Sequence, residues 1–259
     1  MEKTNTDFKI SDPLIAAMFE TGAHYGYSKS RRHPSVGSYI FGVKNRVEIF
    51  DLEKTKDALA KAIEFVSGLS AARKVILFAS SKVEAKESIR KAAEEAGLPY
   101  VASRWVGGTL TNFTQIKSRV ERLINLRNQK QKGELSKYTK KEQLMIDREI
   151  ARMEALFSGL VTLKEVPAAL FIIDPKEETT AVSEAARLGI PVVALTGSDC
   201  DISKIDYPIP ANDSARASVA FFVGEIARAY AEGKKLNNQQ PILRQAQDPE
   251  FNRGTIENK

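Results

Sequence analysis

The 259-residue chain has one cysteine, two histidines and one tryptophan. A lone Cys200 cannot close an internal disulfide. The start "MEKTNTDFKISDPLIAAMF" lacks the basic opening and unbroken apolar core of a signal peptide, so a reducing, cytoplasmic setting is expected. No apolar run approaches the roughly 18 to 20 residues that cross a bilayer, so no membrane contact is expected. His24 and His33 supply no repeated ligand spacing. Asp199, Cys200 and Asp201 in "GSDCDISK" would hold a cation with His24 only if the fold joined them, and a solvated turn is the expectation there. No metal, no cofactor and no catalytic residue is therefore expected.

What the chain does have is positive charge in two places. The formal net charge is +6. Residues 21–47 carry Lys29, Arg31, Arg32, Lys44 and Arg46 with no acid at all, a local +5, and residues 112–158 carry eleven basic and six acidic side chains, another +5. The rest is slightly acidic. An acid-free cluster of that kind is a surface for a polyanion.

The remaining pattern is that of an α/β protein. Asp12 and Pro13 open a short helix that stops at Gly22, and two short strands, "SYIFG" and "VEIF", flank a turn at residues 42–45. "KVILFAS", "PYVAS", "AALFIID" and "PVVAL" are apolar without alternation, and amphipathic helices such as "KVEAKESIRKAAEEAG" separate them. Such strands are buried on both faces, which predicts a parallel sheet wrapped by helices. "SARASVAFFVGEIARAYAEG" is the last helix, capped by Asp213 or Ser214, and residues 233–259, without periodicity, are expected to be a disordered tail. The body is thus 1–111 with 159–232.

Residues 112–158 break the rhythm. Phe113, Ile116, Val120 and Leu123, then Ile146, Ile150, Met153 and Phe157, follow a three-four spacing around "KGELSKYTKKE", where Thr139 and Glu142 match a capping box. An inserted antiparallel helical hairpin, a coiled coil, is predicted. In front of it stands "RWVGGTLTN", whose glycines pose two alternatives, a phosphate cradle or a turn. It lacks the spacing and the Gly-Lys-Ser/Thr ending of a P-loop, so the turn is preferred, with Thr111 or Asn112 as helix cap. Ser80 and Ser81 are expected as plain caps. Asp174, before Pro175, is expected to make a turn.

Six blocks in order, "GAHYGYSKSRRHPSVGSYIFG", "IFDLEKT", "RWVGGTLTN", "YTKKEQLM", "PAALFIIDPKEETTAVSEAARLGIPVVAL" and "IPANDSARAS", resemble the bacterial small-subunit ribosomal protein S2 family (universal uS2), over residues 10 to 232. The resemblance implies a flavodoxin-like or Rossmann-like sheet with an inserted coiled coil. It also implies binding to small-subunit ribosomal RNA, neighbouring small-subunit proteins and docking of ribosomal protein S1. The family commonly has histidine where Tyr27 stands and Trp-Asn-Pro at residues 32–34, so contacts made by those side chains do not carry over, and Arg32 adds attraction for phosphate instead.

RNA binding asks for cations on phosphates and flat side chains on bases. Lys29, Arg31, Arg32, Lys44 and Arg46 are the expected phosphate contacts, with Arg104, Lys117, Arg119 and Arg122 flanking the same surface at the hairpin root. Tyr25, Tyr27 and His33 interleave as stacking surfaces. Tyr39 and Phe41 are expected in the core, and Trp105 against the hairpin base. The reading is a structural ribosomal protein with no small-molecule substrate. The alternative is a nucleotide- or sugar-phosphate-binding enzyme on a Rossmann-like fold, because such sheets bind ligands beyond their carboxyl ends.

Overall fold

The computed structural model describes residues 12–246. Helix α1 (Pro13–Glu20) starts where Asp12 Oδ1 accepts the Leu14 amide at 2.9 Å. Strand β1 (Tyr25–Ser28) follows, then two 3-10 turns (Lys29–Arg31 and Pro34–Tyr39), β2 (Ile40–Lys44) and β3 (Val47–Phe50). These three strands form an antiparallel sheet in the order β1-β3-β2. The β2–β3 turn is the pair Asn45–Arg46, with φ of 52° and 66°, the left-handed pair that a two-residue hairpin turn requires. It is not residues 42–45; Gly42 lies inside β2. Strand β1 is not among the strands expected from the sequence, its four residues being interrupted by Gly26.

Helix α2 (Leu52–Ala71) leads into β4 (Ile76–Ala79), α3 (Val83–Ala96) and β5 (Tyr100–Val101). After α4 (Phe113–Gln131) and α5 (Lys140–Phe157) come β6 (Ala169–Ile173), α6 (Thr179–Leu188), β7 (Val192–Thr196), β8 (Tyr207–Pro210) and α7 (Arg216–Ala246). Strands β4 to β8 make one parallel sheet in the order β5-β4-β6-β7-β8. In chain order this is 2-1-3-4-5, the flavodoxin-like winding, with its switch point between β4 and β6. The prolines of "YPIP" hid β8; on an edge strand a missing amide faces no neighbour.

Alternate strand residues feed two cores. Ile76, Phe78, Phe171, Ile173, Val193 and Leu195 meet α2, α3 and α7 on one face, through Leu59, Val66, Ile89, Phe222 and Ile226. Leu77, Ala79, Leu170, Ile172 and Ala194 meet the other layer, where Ala181 and Ala185 of α6 are joined by Trp105, Ile116, Val120, Leu123, Ile150 and Phe157. The period-two alternation of a strand puts successive side chains on opposite faces, so both cores need an unbroken apolar run. The inner turns of α4 and α5 therefore belong to a core.

The two helices are also tied to each other by Arg122–Glu149, Arg127–Glu154 and Lys130–Asp147, at 2.7–2.8 Å. The capping box of Thr139 and Glu142 is formed at the start of α5. Helix α7 does not stop at Gly233. A Cβ there would lie 2.3 Å from the Ser67 carbonyl oxygen, so that glycine lets α7 press on α2 rather than ending it. The part of the expected tail beyond residue 246 lies outside the described residues. The loop before α7 is held by Asn212 Oδ1, which accepts the Ser214 and Ala215 amides at 3.0 and 3.1 Å; Asp213 and Ser214 do not cap.

Candidate RNA-binding surface

The carboxyl ends of the parallel strands are where a sheet of this winding takes a ligand. Here the chain fills that place itself. After β4, Lys82 Nζ sits 2.6 Å from Asp174 Oδ2 and 2.7 Å from Asp213 Oδ2, with all three side chains largely buried. Burial alone would lower the Lys82 pKa, and the two carboxylates more than offset it and raise it. Cys200 Sγ lies 3.4 Å from Asp174 Oδ1. Burial, and then the charges of Asp174, Asp213 and Asp199, push this thiol far above its usual range, so it is no nucleophile at neutral pH.

Among the described residues, the group with metal-like spacing is thus Asp174, Cys200 and Asp213, and the cation at its carboxylates is an ammonium. His24 is not part of it, and Cys200 is buried rather than in a solvated turn. Tyr27 closes the site from above: its hydroxyl meets Ser214 Oγ at 2.6 Å.

The two helix-entry candidates are filled in the same way. The Ser81 amide, just before α3, donates to the buried Glu178 carboxylate. The "RWVGGTLTN" turn does cradle an anion, and the anion is Glu184 of α6. Its Oε1 accepts the Gly108 amide at 2.7 Å and the Trp105 indole at 3.2 Å, and its Oε2 accepts the Leu110 and Thr111 amides at 2.9 and 3.1 Å. Burial would raise this carboxyl's pKa, but the Leu110, Thr111 and Gly108 amides and the indole outweigh it and lower it. Gly108, at φ 89°, supplies the left-handed turn that aims these amides inward. Asn112 stands at the N-cap position of α4, without a side-chain capping hydrogen bond.

The free charge lies elsewhere. The antiparallel sheet sits over the ends of β7 and β8: the Tyr27 amide donates to Ser198 Oγ, the His33 amide to the Ser198 carbonyl and the Asn212 amide to the Ala23 carbonyl, each at 2.9 Å. On this sheet Lys29 and Arg31 occupy one 3-10 turn, Lys44 ends β2 and Arg46 stands in the hairpin turn, all exposed. Among the described residues none of the four has an ion-pair partner. Arg31 also lies over the Tyr27 ring, 5.9 Å from its centroid. Arg32 differs, being 3.3 Å from the fully buried Glu48 carboxylate.

Arg104, Lys117, Arg119 and Arg122 are exposed at the other edge of the parallel sheet, after β5 and along the first turns of α4. Of these Arg122 is paired with Glu149. No hydrogen bond or ion pair among the described residues joins the two groups.

A sequence profile of the family described as ribosomal protein S2 matches residues 18–233. The chain belongs to that family. Similar proteins include the small ribosomal subunit protein uS2 of Roseiflexus castenholzii, 43% identical over 85% of this chain and 84% of that one. Those of Chloroflexus aurantiacus and Dictyoglomus thermophilum are 39% identical, over 85% and 89% of this chain and 93% and 94% of theirs. The family is one of structural, non-enzymatic constituents of the small ribosomal subunit. The enzyme alternative falls with it, and the filled switch point gives the physical reason. No helix among the described residues is long and apolar enough to cross a membrane.

Two residues expected in the core are not there. Phe41 is 80% exposed and Tyr39 only half-buried. The pairing of β2 with β3 slips between Ile40 and Gly42, and that irregularity throws Phe41 out of the inward alternation. The glycine next to Phe41 was the one local sign of it. Trp105 is in the second core, as expected.

Proposed function

We propose that the chain binds small-subunit ribosomal RNA in the cytoplasm through the antiparallel sheet, with Lys29, Arg31, Lys44 and Arg46 on phosphates and Arg32 contributing what its pairing with Glu48 leaves free. Arg104, Lys117, Arg119 and Arg122 extend the contact at the root of α4 and α5. The observation that carries the reading is four exposed cations, none with an ion-pair partner among the described residues, on a sheet segment that holds no exposed acid. Cations kept unpaired repel one another, and a phosphate backbone is the partner that turns this into affinity.

The exposed face of the inserted hairpin, residues 112–158, is the surface for other small-subunit proteins, ribosomal protein S1 among them. In support, a groove of about 790 Å³ runs along it, with Met145, Ile146 and Met153 flanked by Arg148 and Arg152 and with its one acid, Glu149, paired with Arg122, a lining suited to an acidic, partly apolar partner.

A salt titration tests the RNA reading. Affinity for small-subunit ribosomal RNA falls steeply with salt. Replacing Lys29, Arg31, Lys44 and Arg46 with alanine reduces the log-log slope by roughly one unit per lost contact. Arg32 is left in place because its removal would strand the buried Glu48. Unchanged slope and affinity in the fourfold variant would overturn the assignment.

A further inference from the structure

The antiparallel sheet carries aromatic surface that charge alone does not account for. Tyr25 pairs with Ile49, and Ile49 with Gly42, so one rung runs across all three strands. At Gly42 a Cβ would meet nothing within 4 Å, so the rung ends in open space. Phe41, next to Gly42 in β2 at the register irregularity, is 80% exposed, and at the rung's far end Tyr25 is 50% exposed. With strands about 4.8 Å apart, the two ends of the rung are about 10 Å from each other.

The ring of Tyr25 is held from below. It lies 4.0 Å from the His24 ring, which stacks on Phe19 at 4.3 Å and 10°. Burial first, and then the charge of Lys44, lower the His24 pKa, so the ring under Tyr25 is neutral at pH 7. Lys44 therefore lies close to the same aromatic cluster, and Arg46 is two residues further on, in the hairpin turn.

What fits over exposed rings flanked by cations, on a stretch (residues 21–47) that contains no acid, is a flat apolar surface attached to negative charge. An unpaired nucleobase with its phosphate has that chemistry, and a base inside a duplex offers no free face. We propose that Phe41 and Tyr25 form a stacking platform for unpaired nucleotides of the RNA, with the space over Gly42 as the slot for a base and Lys44 and Arg46 on the adjoining phosphates. This rests on the RNA-binding reading above and adds the kind of RNA, looped or single-stranded, that the sheet takes.

The test uses the full chain with a small-subunit ribosomal RNA transcript, a single-stranded oligouridylate, and an RNA duplex of equal length. Phe41→Ala is expected to lower affinity for the transcript and the oligouridylate on the order of ten- to a hundredfold. It should leave the salt slope and duplex binding unchanged. Phe41→Trp restores affinity, and its new indole is quenched on adding oligouridylate, against a buried Trp105. Phe41→Leu does not restore it. Gly42→Thr has room in the folded chain, so it keeps the wild-type melting temperature while losing affinity as Phe41→Ala does.

Wild-type RNA affinity in Phe41→Ala, or full rescue by Phe41→Leu, overturns the platform. So does a Phe41→Ala chain that binds RNA normally and yet fails to enter small subunits, which would assign the patch to a protein neighbour. The fourfold cation variant separates the two readings. If it loses affinity and slope while Phe41→Ala does not, only the platform fails; if neither variant changes anything, the RNA-binding reading fails with it.

Discussion

Lys82 and the quartet Lys29, Arg31, Lys44 and Arg46 lie at the same end of the parallel sheet and are used in opposite ways. Lys82 is enclosed by two carboxylates within 2.7 Å, whereas the quartet is exposed with no ion-pair partner among the described residues. A buried charge must be matched inside the protein, because an unmatched one is far more costly than any surface interaction. An exposed cation has no such requirement and remains available to an outside anion. The contrast separates charge matched inside the fold from charge left available to the proposed RNA contact, and it can be tested one residue at a time.

The largest effect is expected at Lys82. Lys82→Met leaves Asp174 and Asp213 as adjacent buried carboxylates, and unfolding in urea should show a loss of about 3–5 kcal/mol. Burial already raises the Asp213 pKa against the opposing pull of Lys82. Without the ammonium it rises further, and a carboxyl raised in the folded state is stabilising below its folded pKa. The variant should therefore regain stability relative to the parent as pH falls from 7 to 5. Adding Asp174→Asn and Asp213→Asn should recover much of the loss at pH 7. Equal stability of parent and Lys82→Met would show that the ion triad does not support the fold.

Glu184 comes next. Glu184→Gln turns an acceptor of three amides and an indole into a group with its own donors facing theirs, for a loss of about 2–3 kcal/mol at pH 7. The folded-state pKa is lowered, so the charge stabilises the fold above the ordinary carboxyl value, near pH 4.5, and that contribution disappears as pH falls through the folded value. Thermal melts of parent and variant should accordingly converge on acidification from pH 7 toward 3. A gap that stays constant would mean that Glu184 acts by packing alone.

These two sites also show why some of the molecule was legible in the sequence and some was not. The runs 76–79, 169–173 and 192–196 announced buried parallel strands because a strand covered on both faces must be apolar throughout. The acid-free stretch announced exposed cations because charge is a local property. Lys82 with Asp213 and Gly108 with Glu184 are separated by 131 and 76 residues, and nothing local marks them as partners. The glycines of "RWVGGTLTN" make the expected turn, and the turn also cradles an anion, which the chain supplies from Glu184. Gly233 was misread as a helix stop because its reason is contact with α2, a tertiary fact.

The quartet should sit at the other end of the scale. Alanine at Lys29, Arg31, Lys44 and Arg46 together should leave the urea midpoint almost unmoved, each substitution being within about 0.5 kcal/mol, while the RNA salt slope falls. Relief of repulsion on the sheet should appear as a small gain at low salt. A marked loss of stability would mean that these cations make internal contacts, and the contrast with Lys82 would dissolve.

The finest distinction is expected where the two categories meet, at Arg122. It was placed with the RNA-binding cations, yet Glu149 holds it at 2.8 Å on an exposed helix surface. An exposed pair of this kind contributes about 0.2–1 kcal/mol, so Arg122→Ala should lower stability by no more than that, and the difference should fade in high salt. Its neighbour Arg119 has no such partner among the described residues, so Arg119→Ala should leave stability unchanged and take more of the RNA salt slope. Measuring both variants in both assays ranks the root of α4 between the enclosed lysine and the free quartet. If Arg122→Ala removes more of the salt slope than Arg119→Ala, the Glu149 pairing opens on binding, and pairing in the free chain does not predict which cations reach the RNA.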